Sequence, residues 1–146
     1  LGGIPVTMSY GDVYTSLQTG IIDGAESNET ALTTGKHGEI CKVFSTDEHA
    51  MIPDVLLMSA KTWKNISPED QQVILEAAYE STESHKVSWE AAISEAISEA
   101  STDMNVEFVN DVDKEAFRQA TSGMVDEYCK EYPGVQELLD IIDSVE

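Results

Sequence analysis

The chain has 146 residues and a hydrophobic content of 41%, which suits one globular domain with a real core and excludes a disordered tail. Its net charge is −20, from 8 basic and 28 acidic residues, which argues against nucleic acid and anionic membranes as partners. No apolar run approaches the roughly 20 residues of a membrane span, and no signal-peptide pattern is visible. Because the sequence starts with Leu1 rather than methionine, we expect a processed or excised piece.

The two cysteines, Cys41 and Cys129, are too few for a disulfide scaffold. They form no C-x-x-C pair for zinc or redox chemistry. The sequence leaves open whether they pair with each other or stay free, so cysteine usage does not indicate the compartment.

Short elements are predicted in the first 60 residues. Helical spacing after Asp12 predicts a helix that ends at Gly20, a residue typical of helix C-termini. A second short helix is predicted from Glu29 to about Gly38, with His37 near its end, where the helix dipole favours a cation. Alternating or continuous apolar residues predict strands at 4–8, 41–46 and 54–60, the last covered on both faces.

The most distinct predicted element is one long helix. Ser67 is a suitable N-cap, Pro68 suits the first helical position, and no Gly or Pro follows until Gly123. Apolar and small residues at helical spacing extend the prediction from Pro68 to about Ser101, which is roughly 50 Å of helix. The inward face is rich in Ala and Ser, so it permits close backbone approach but buries little area. Such a helix indicates that the chain lies across something larger than one compact domain.

The last third of the sequence predicts one more strand and two helices. The strand is expected at 105–110, and the helices run from Asp113 to Lys130 and over Val135–Ile142. Pro133 separates the two helices. Because strands and helices alternate along the whole chain, the pattern indicates an α/β fold.

Three side chains, Asp23, Glu26 and His49, are candidates for a metal site or an acid–base set. Their spacing matches no ligand or catalytic motif, and Asp23-Gly24 is also a common turn pair. A metal-dependent or acid/base hydrolase that uses these three residues is kept as the alternative function. No cofactor is expected.

The first half of the sequence resembles the DctP-type solute-binding proteins of TRAP transporters. The segment "GGIPVTMSYGDVYTSLQTGIIDGAESN" is similar to the family pattern G-x-x-P-x-x-M-x-[FY]-x-[ED]-x-Y-x-[AS]-L-Q-x-G-x-x-D-G-x-E-N. A K-x-x-E-[VI]-x-K-like run at 36–42, then His49, then Trp63 before a P-E-x-Q helix start follow in the family's order. Beyond about Ala78 the resemblance depends only on the order of the elements.

The resemblance implies an α/β fold of the periplasmic-binding-protein type, with a long helix spanning two lobes, of which this chain is an incomplete C-terminal portion. The implied division is a ligand-lobe segment at 1–52, a crossing strand at 53–66, the spanning helix at 67–102 and a C-terminal strand with helices at 103–146. The implied function is capture of a small organic acid (a dicarboxylate, a uronate or a sialic-acid-like compound) and its delivery to membrane permease subunits, without catalysis. The implied location is extracytoplasmic, in the periplasm or as a cell-surface lipoprotein.

The resemblance assigns ligand contacts to the segment that includes residues 10–28. Tyr10 stands at a position that packs against the ligand in relatives, and the amide after D-G-x-E hydrogen-bonds the ligand. The usual E-N reads E-S-N here, so that donor is Ser27 by alignment or Asn28 by chemistry.

Further ligand and loop residues are implied by position. Glu48 and His49 stand where some relatives bring a strand tip to the cleft, and Glu48 could accept hydrogen bonds from sugar-acid hydroxyls. Asp23, Gly24 and Glu26 are expected to brace the loop rather than to touch an anionic ligand.

The family's main carboxylate-binding arginine belongs to a part that this sequence does not contain. The only arginine in the sequence, Arg118, falls on a predicted late helix and matches no ligand position. Guanidinium binds carboxylate through a bidentate fork, and a strongly acidic chain needs such a cation to hold an acid. We therefore expect the missing N-terminal half to be a partner and the isolated chain to bind organic acids poorly. Its uncovered apolar surface is expected to produce homodimers or larger species.

Overall fold

The computed structural model describes residues 1–145. Over this range the chain forms six α-helices, one 3₁₀ turn and two short strands. In chain order these are α1 (Tyr10–Thr19), α2 (Thr30–Thr33), the 3₁₀ turn (His37–Glu39), β1 (Val43–Ser45), α3 (Ala60–Trp63), α4 (Pro68–Thr102), β2 (Glu107–Val109), α5 (Lys114–Glu131) and α6 (Gly134–Asp143). None of the described helices combines the length and the apolar character that crossing a bilayer requires.

The chain divides into two units. One unit, which we call the core unit, consists of Val6–Phe44 and Met51–Val109, and it contains α1 to α4 with the 3₁₀ turn. The other unit, which we call the helical unit, consists of Leu1–Pro5, Ser45–Ala50 and the chain from Asn110 onward, with α5 and α6.

The core unit is held together by one small apolar cluster. Leu32 of α2, Ala100 of α4 and Val106 before β2 are buried against one another. Because Ala100 has the smallest apolar side chain, α2 can approach the backbone of α4 closely. Three partly buried side chains pack around this cluster, namely Phe44, Met104 and Phe108. The rings of Phe44 and Phe108 lie 5.4 Å apart, and their strands β1 and β2 pair as a two-stranded sheet.

Helix α4 confirms the predicted long helix, with 35 residues from Pro68 to Thr102. The Ser67 hydroxyl oxygen accepts a hydrogen bond from the Asp70 amide at 3.1 Å, and Pro68 occupies the first position. Only Ala96 and Ala100 of this helix are buried, and residues 81–91 are all exposed. The helix therefore packs near its C-terminal end and leaves its middle turns uncovered by the described chain.

Replacing Ser67 with alanine is expected to lower the free energy of unfolding by about 1 kcal/mol, because an N-terminal amide of α4 loses its side-chain acceptor. Urea denaturation followed by circular dichroism at 222 nm measures the loss. Ser88→Ala, at an exposed position in the middle of the same helix, is the control and should be neutral or slightly stabilising. Equal losses from the two variants would contradict a capping role for Ser67.

The helical unit is built from α5 and α6, which pack against each other. The Asp113 carboxylate caps α5 by accepting from the Ala116 amide at 3.0 Å, and α5 ends before Pro133, which lacks an amide hydrogen. The rings of Tyr128 and Tyr132 lie 5.9 Å apart at this end of α5. The positions of both helices agree with the prediction to within a residue or so.

Two predicted strands are wrong. Residues 4–8 and 54–60 form no strand, and Val55, Leu56 and Leu57 are exposed rather than covered on both faces. A strand is stable only when its backbone groups bond to a neighbouring strand, and the strands of the described chain, β1 and β2, pair with each other. In the predicted crossing strand at 53–66 the structure forms the short helix α3 instead. The role of 53–66 as a crossing between lobes stays a prediction.

Other predictions hold with adjusted limits. Helix α1 ends at Gly20, whose φ of 71° is a left-handed conformation suited to glycine. The single helix predicted from Glu29 to Gly38 is divided into α2 and the 3₁₀ turn, with Lys36 at a φ of 58° between them. Cys41 and Cys129 are free thiols, which answers the question that the sequence left open.

Candidate functional site

The core unit contains a cavity of about 380 Å³ beside the loop that follows α1. This volume is within the range of small-molecule sites. Its polar lining comes from the loop and from the segment that begins at the 3₁₀ turn, namely Asp23, Ser27, Asn28, His37 and Lys42. Apolar lining comes from Leu17, Ala31, Leu32, Ile40 and Phe44, among others. We call this space the loop cavity.

Asn28 is fixed in the wall of the loop cavity by its own side chain. Its Oδ1 accepts from the Thr30 amide at 3.1 Å and from the Thr30 hydroxyl at 2.6 Å, which holds the start of α2. The carboxamide nitrogen of Asn28 makes no hydrogen bond with any residue of the described chain. Asn28 thus keeps two N–H donors for a molecule in the cavity. Ser27 also lines the cavity, and its hydroxyl makes no hydrogen bond to the described residues.

Two of the three predicted loop-bracing residues line the loop cavity, and the third does not. Asp23 and Gly24 line the loop cavity, and a Cβ at position 24 would meet no atom within 4 Å. No close approach to the described part of the protein therefore demands glycine there. Glu26 is exposed. A bracing role for these three residues stays a prediction.

Tyr10 begins α1 and lies next to the 3₁₀ turn. Its ring is 5.7 Å from the ring of His37, tilted by 45°. The two elements are also linked because the Tyr14 hydroxyl donates to Glu39 at 2.7 Å. The Glu39 carboxylate, as acceptor of this bond, raises the pKa of Tyr14. The predicted ligand residue Tyr10 is therefore held at the turn that supplies His37 to the loop cavity.

Sequence reasoning missed His37 as a cavity residue. The side chain is buried, and burial lowers its pKa, so the imidazole is neutral at pH 7. Burial therefore opposes the charged form that a helix end would favour at His37. Gly35 and Gly38 on either side signalled a tight turn, but burial depends on tertiary contacts that the sequence alone does not show.

Lys42 provides the only lysine or arginine side chain among the described residues that line the loop cavity. Its ammonium donates to the Gly38 carbonyl at 2.7 Å and to the Met104 carbonyl at 2.8 Å. These bonds tie the 3₁₀ turn to the segment that follows α4. Lys42 is the second lysine of the K-x-x-E-[VI]-x-K-like run, a motif that indicates family resemblance but does not place the side chain in a cavity.

The other two predicted ligand residues, Glu48 and His49, belong to a second cavity, which lies in the helical unit and has a volume of about 420 Å³. Glu48 forms an ion pair with Lys114. The Nδ1 atom of His49 lies 3.0 Å from Asp47 Oδ1, and this hydrogen bond lowers the pKa of Asp47. The remaining lining comes from α5 and the N-terminus, namely Leu1, Lys114, Phe117, Arg118, Thr121, Met124 and Val125.

The residues of the hydrolase alternative are distributed over both units. Asp23 lines the loop cavity of the core unit, whereas His49 lines the cavity of the helical unit. Over residues 1–145, no three His, Cys, Asp or Glu side chains are grouped as a metal ion would need.

Comparisons with known proteins agree on one family. The DctP family model, which describes bacterial extracellular solute-binding proteins of family 7, matches residues 1–131. The chain is 44% identical over 126 residues to the protein YiiZ of Salmonella typhimurium, covering 86% of this chain and 38% of YiiZ. It is 34% identical over 146 residues to a solute-binding protein of Chromohalobacter salexigens, covering 99% of this chain and 43% of that protein.

A solved structure with the same fold carries a ligand. It is a TRAP periplasmic solute-binding protein from Chromohalobacter salexigens with bound D-glucuronate. The TM-score is 0.94 and the sequence identity 31%, over 99% of this chain and 48% of that chain. The present chain therefore spans less than half the length of each of these three relatives.

Proposed function

The chain belongs to family 7 of the bacterial extracellular solute-binding proteins, DctP, and on this premise we propose that it is the C-terminal part of a TRAP solute-binding protein that captures a small organic acid. The observation that carries the proposal is a cavity of ligand size whose wall bears Ser27 and Asn28, in a chain whose fold is that of a glucuronate-bound relative. The protein is a component of transport rather than an enzyme, and the family match does not support the hydrolase alternative.

In this proposal the loop cavity supplies hydrogen bonds, and Tyr10, whose ring contacts His37, supplies an aromatic surface. Asn28 donates to the acid through its carboxamide nitrogen, because Oδ1 is already engaged by Thr30. Tyr10, which is exposed to solvent in this chain, packs against the ligand. Ser27 is the second candidate donor, and Asp23, Gly24 and Glu26 shape the loop.

Glu48 and His49 are proposed as contacts for ligand hydroxyls. The ion pair with Lys114 fixes the carboxylate of Glu48, which has further lone pairs to accept from a sugar-acid hydroxyl. Asp47 similarly orients the ring of His49 through its hydrogen bond with Nδ1.

A second half of the binding site is proposed on polypeptide outside this sequence. An acid bound by a chain of net charge −20 needs a strong cation, and Lys42 is already engaged by two carbonyl groups. We place the carboxylate-binding arginine on an N-terminal half, which closes over the ligand with this chain. The whole protein would act outside the cytoplasm, in the periplasm or as a surface lipoprotein, and would hand its ligand to permease subunits.

Uncovered apolar side chains support a partner surface. Leu56, Leu57 and Tyr79 of the core unit and Leu138 and Ile141 of the helical unit are exposed. We propose that the N-terminal half covers such groups and that, without it, the chain forms homodimers or larger species. A clean monomer by light scattering at high concentration would count against this self-association.

The function is tested by thermal shift on the full-length protein with dicarboxylates, D-glucuronate, D-galacturonate and sialic acid. A ligand that binds only the native state must stabilise it, by about 2.7 kcal/mol at a hundred times its dissociation constant. At least one acid is expected to raise the melting temperature, whereas this chain alone should respond to none. If no acid stabilises the full-length protein, the proposed function is wrong.

Asn28→Asp is expected to weaken binding of the stabilising acid at least about tenfold, or roughly 1.4 kcal/mol. Aspartate preserves the acceptor for Thr30 but replaces the donor with a charge that repels the ligand carboxylate. Isothermal titration calorimetry measures the change, with Ser27→Ala as the matched variant of the other candidate donor. Unchanged affinity in Asn28→Asp together with a large loss in Ser27→Ala would assign the donor to Ser27.

A further inference from the structure

The loop cavity contains an imidazole with no partner in the described part of the protein. His37 is 6% exposed, and neither of its ring nitrogens makes a hydrogen bond to the described residues. Burying a polar group without a partner costs about 1–3 kcal/mol, so most such groups are satisfied. Yet no side-chain nitrogen or oxygen of the described chain is both sealed from solvent and unpartnered. The ring nitrogens of His37 are therefore accessible at least to a small degree, and the residue is one of those that line the loop cavity.

A second polar atom, the Tyr10 hydroxyl, lies near the imidazole of His37. A Cβ built on Gly35 would lie 2.6 Å from the Tyr10 hydroxyl and 3.3 Å from His37 Nε2. The absence of a side chain at Gly35 thus lets a hydroxyl from α1 and an imidazole nitrogen from the 3₁₀ turn converge. The contact between the two rings keeps them in this arrangement.

We propose that His37 is a further ligand-binding residue, which hydrogen-bonds a hydroxyl group of a hydroxylated organic acid in the loop cavity, with Tyr10 beside it. The proposal rests on the proposed function and narrows its ligand class from organic acids in general to hydroxylated ones such as sugar acids. His37 is not among the ligand-binding residues that the sequence resemblance implies.

The chemistry of the ring selects a hydroxyl over a carboxylate. Burial lowers the pKa of His37, so the ring is neutral at pH 7, with one N–H donor and one acceptor nitrogen. A hydroxyl group can both donate and accept, so it satisfies either tautomer. A carboxylate only accepts, and it gains most from a cation, which this ring is not.

The experiment uses the full-length protein and D-glucuronate as the probe, with affinity measured by calorimetry at pH 7.5. His37→Phe fills a similar volume but offers no polar atom, and we expect its dissociation constant to rise at least about tenfold. His37→Gln, which keeps a donor and an acceptor, should recover part of that loss. His85→Phe, at an exposed histidine in the middle of α4, is the matched control and should bind as the wild type does.

A second readout follows the ring itself. In nitrogen–proton correlation spectra of the wild type, D-glucuronate should shift the ring nitrogen signals of His37 and leave those of His85 unchanged. This readout remains decisive if His37→Phe fails to fold, because it needs no variant at the site beyond those used for assignment. A ring signal that does not move on saturation with D-glucuronate overturns the proposal.

The failure of this inference differs from the failure of the proposed function. If the wild type binds D-glucuronate and His37→Phe binds it equally well, the contact at His37 is wrong while the transport function stands. If the wild type binds dicarboxylates but no hydroxylated acid, the function stands and the narrower ligand class is wrong. If no organic acid binds at all, both are wrong.

Discussion

Replacing Leu32 with alanine is expected to lower the free energy of unfolding by about 2–4 kcal/mol, a larger loss than we expect from Ser67→Ala. Leu32 is 4% exposed and packs between Ala100 and Val106. Its removal leaves a cavity that the methyl group of Ala100 cannot fill, since alanine has no rotamer to adjust. The core unit has few other buried apolar side chains among its described residues to absorb the loss.

Leu57→Ala is the matched control for this prediction. The same atoms are removed, but Leu57 is 83% exposed in this chain, so a change within about 0.5 kcal/mol is expected at a protein concentration too low for self-association. Urea denaturation monitored by circular dichroism compares the two variants under identical conditions. A loss in Leu57→Ala as large as that in Leu32→Ala would mean that the small cluster is not the centre of stability.

Gly35→Ala is expected to destabilise the chain by about 1–3 kcal/mol and to displace Tyr10 from the 3₁₀ turn. The added Cβ would lie 2.7 Å from the Ala31 carbonyl oxygen and 2.6 Å from the Tyr10 hydroxyl. The tyrosine can swing away, but the carbonyl belongs to the backbone of α2 and can yield only if the helix moves. The substitution therefore combines a loss of stability with a loss of the convergence between Tyr10 and His37.

Gly11→Ala serves as the control, because a Cβ there meets no atom within 4 Å and the residue lies in α1 of the same unit. Alanine favours a helix over glycine, so this variant should be neutral or slightly more stable. Denaturation curves give the free energies, and the ring signals of Tyr10 report its displacement. A Gly35→Ala chain as stable as the wild type, with unmoved Tyr10 signals, would refute the close approach.

Helices with local signals could be predicted from the sequence. The serine–proline start at Ser67 specified where α4 begins, and the glycine at position 20 specified where α1 ends, since capping depends on neighbouring residues alone. The predicted fold class, an α/β periplasmic-binding-protein type, is confirmed by the likeness to solved chains of that type. That prediction came from the resemblance of the quoted segments and not from the pattern of strands.

Features that depend on distant residues were predicted less well. The apolar run at 54–60 has strand composition, but a strand also needs a neighbour, and composition does not say whether one is present. In the same way, Asn28 was indicated by a motif, whereas His37 and Lys42 became cavity residues only through the folding of the 3₁₀ turn against other elements. Burial and cavity lining are properties of the fold, so no local pattern identified them.

The uncovered middle of α4, the longest helix, affects the order in which its amide hydrogens exchange with deuterium. At 81–91 every side chain is exposed, so the amides there are protected only by the hydrogen bonds of the helix itself. The turns around Ala96 and Ala100 are also clamped by the core unit. In heavy water the amides at 81–91 should therefore exchange faster than those in the turns around Ala96 and Ala100, although 81–91 lie farther from the helix end.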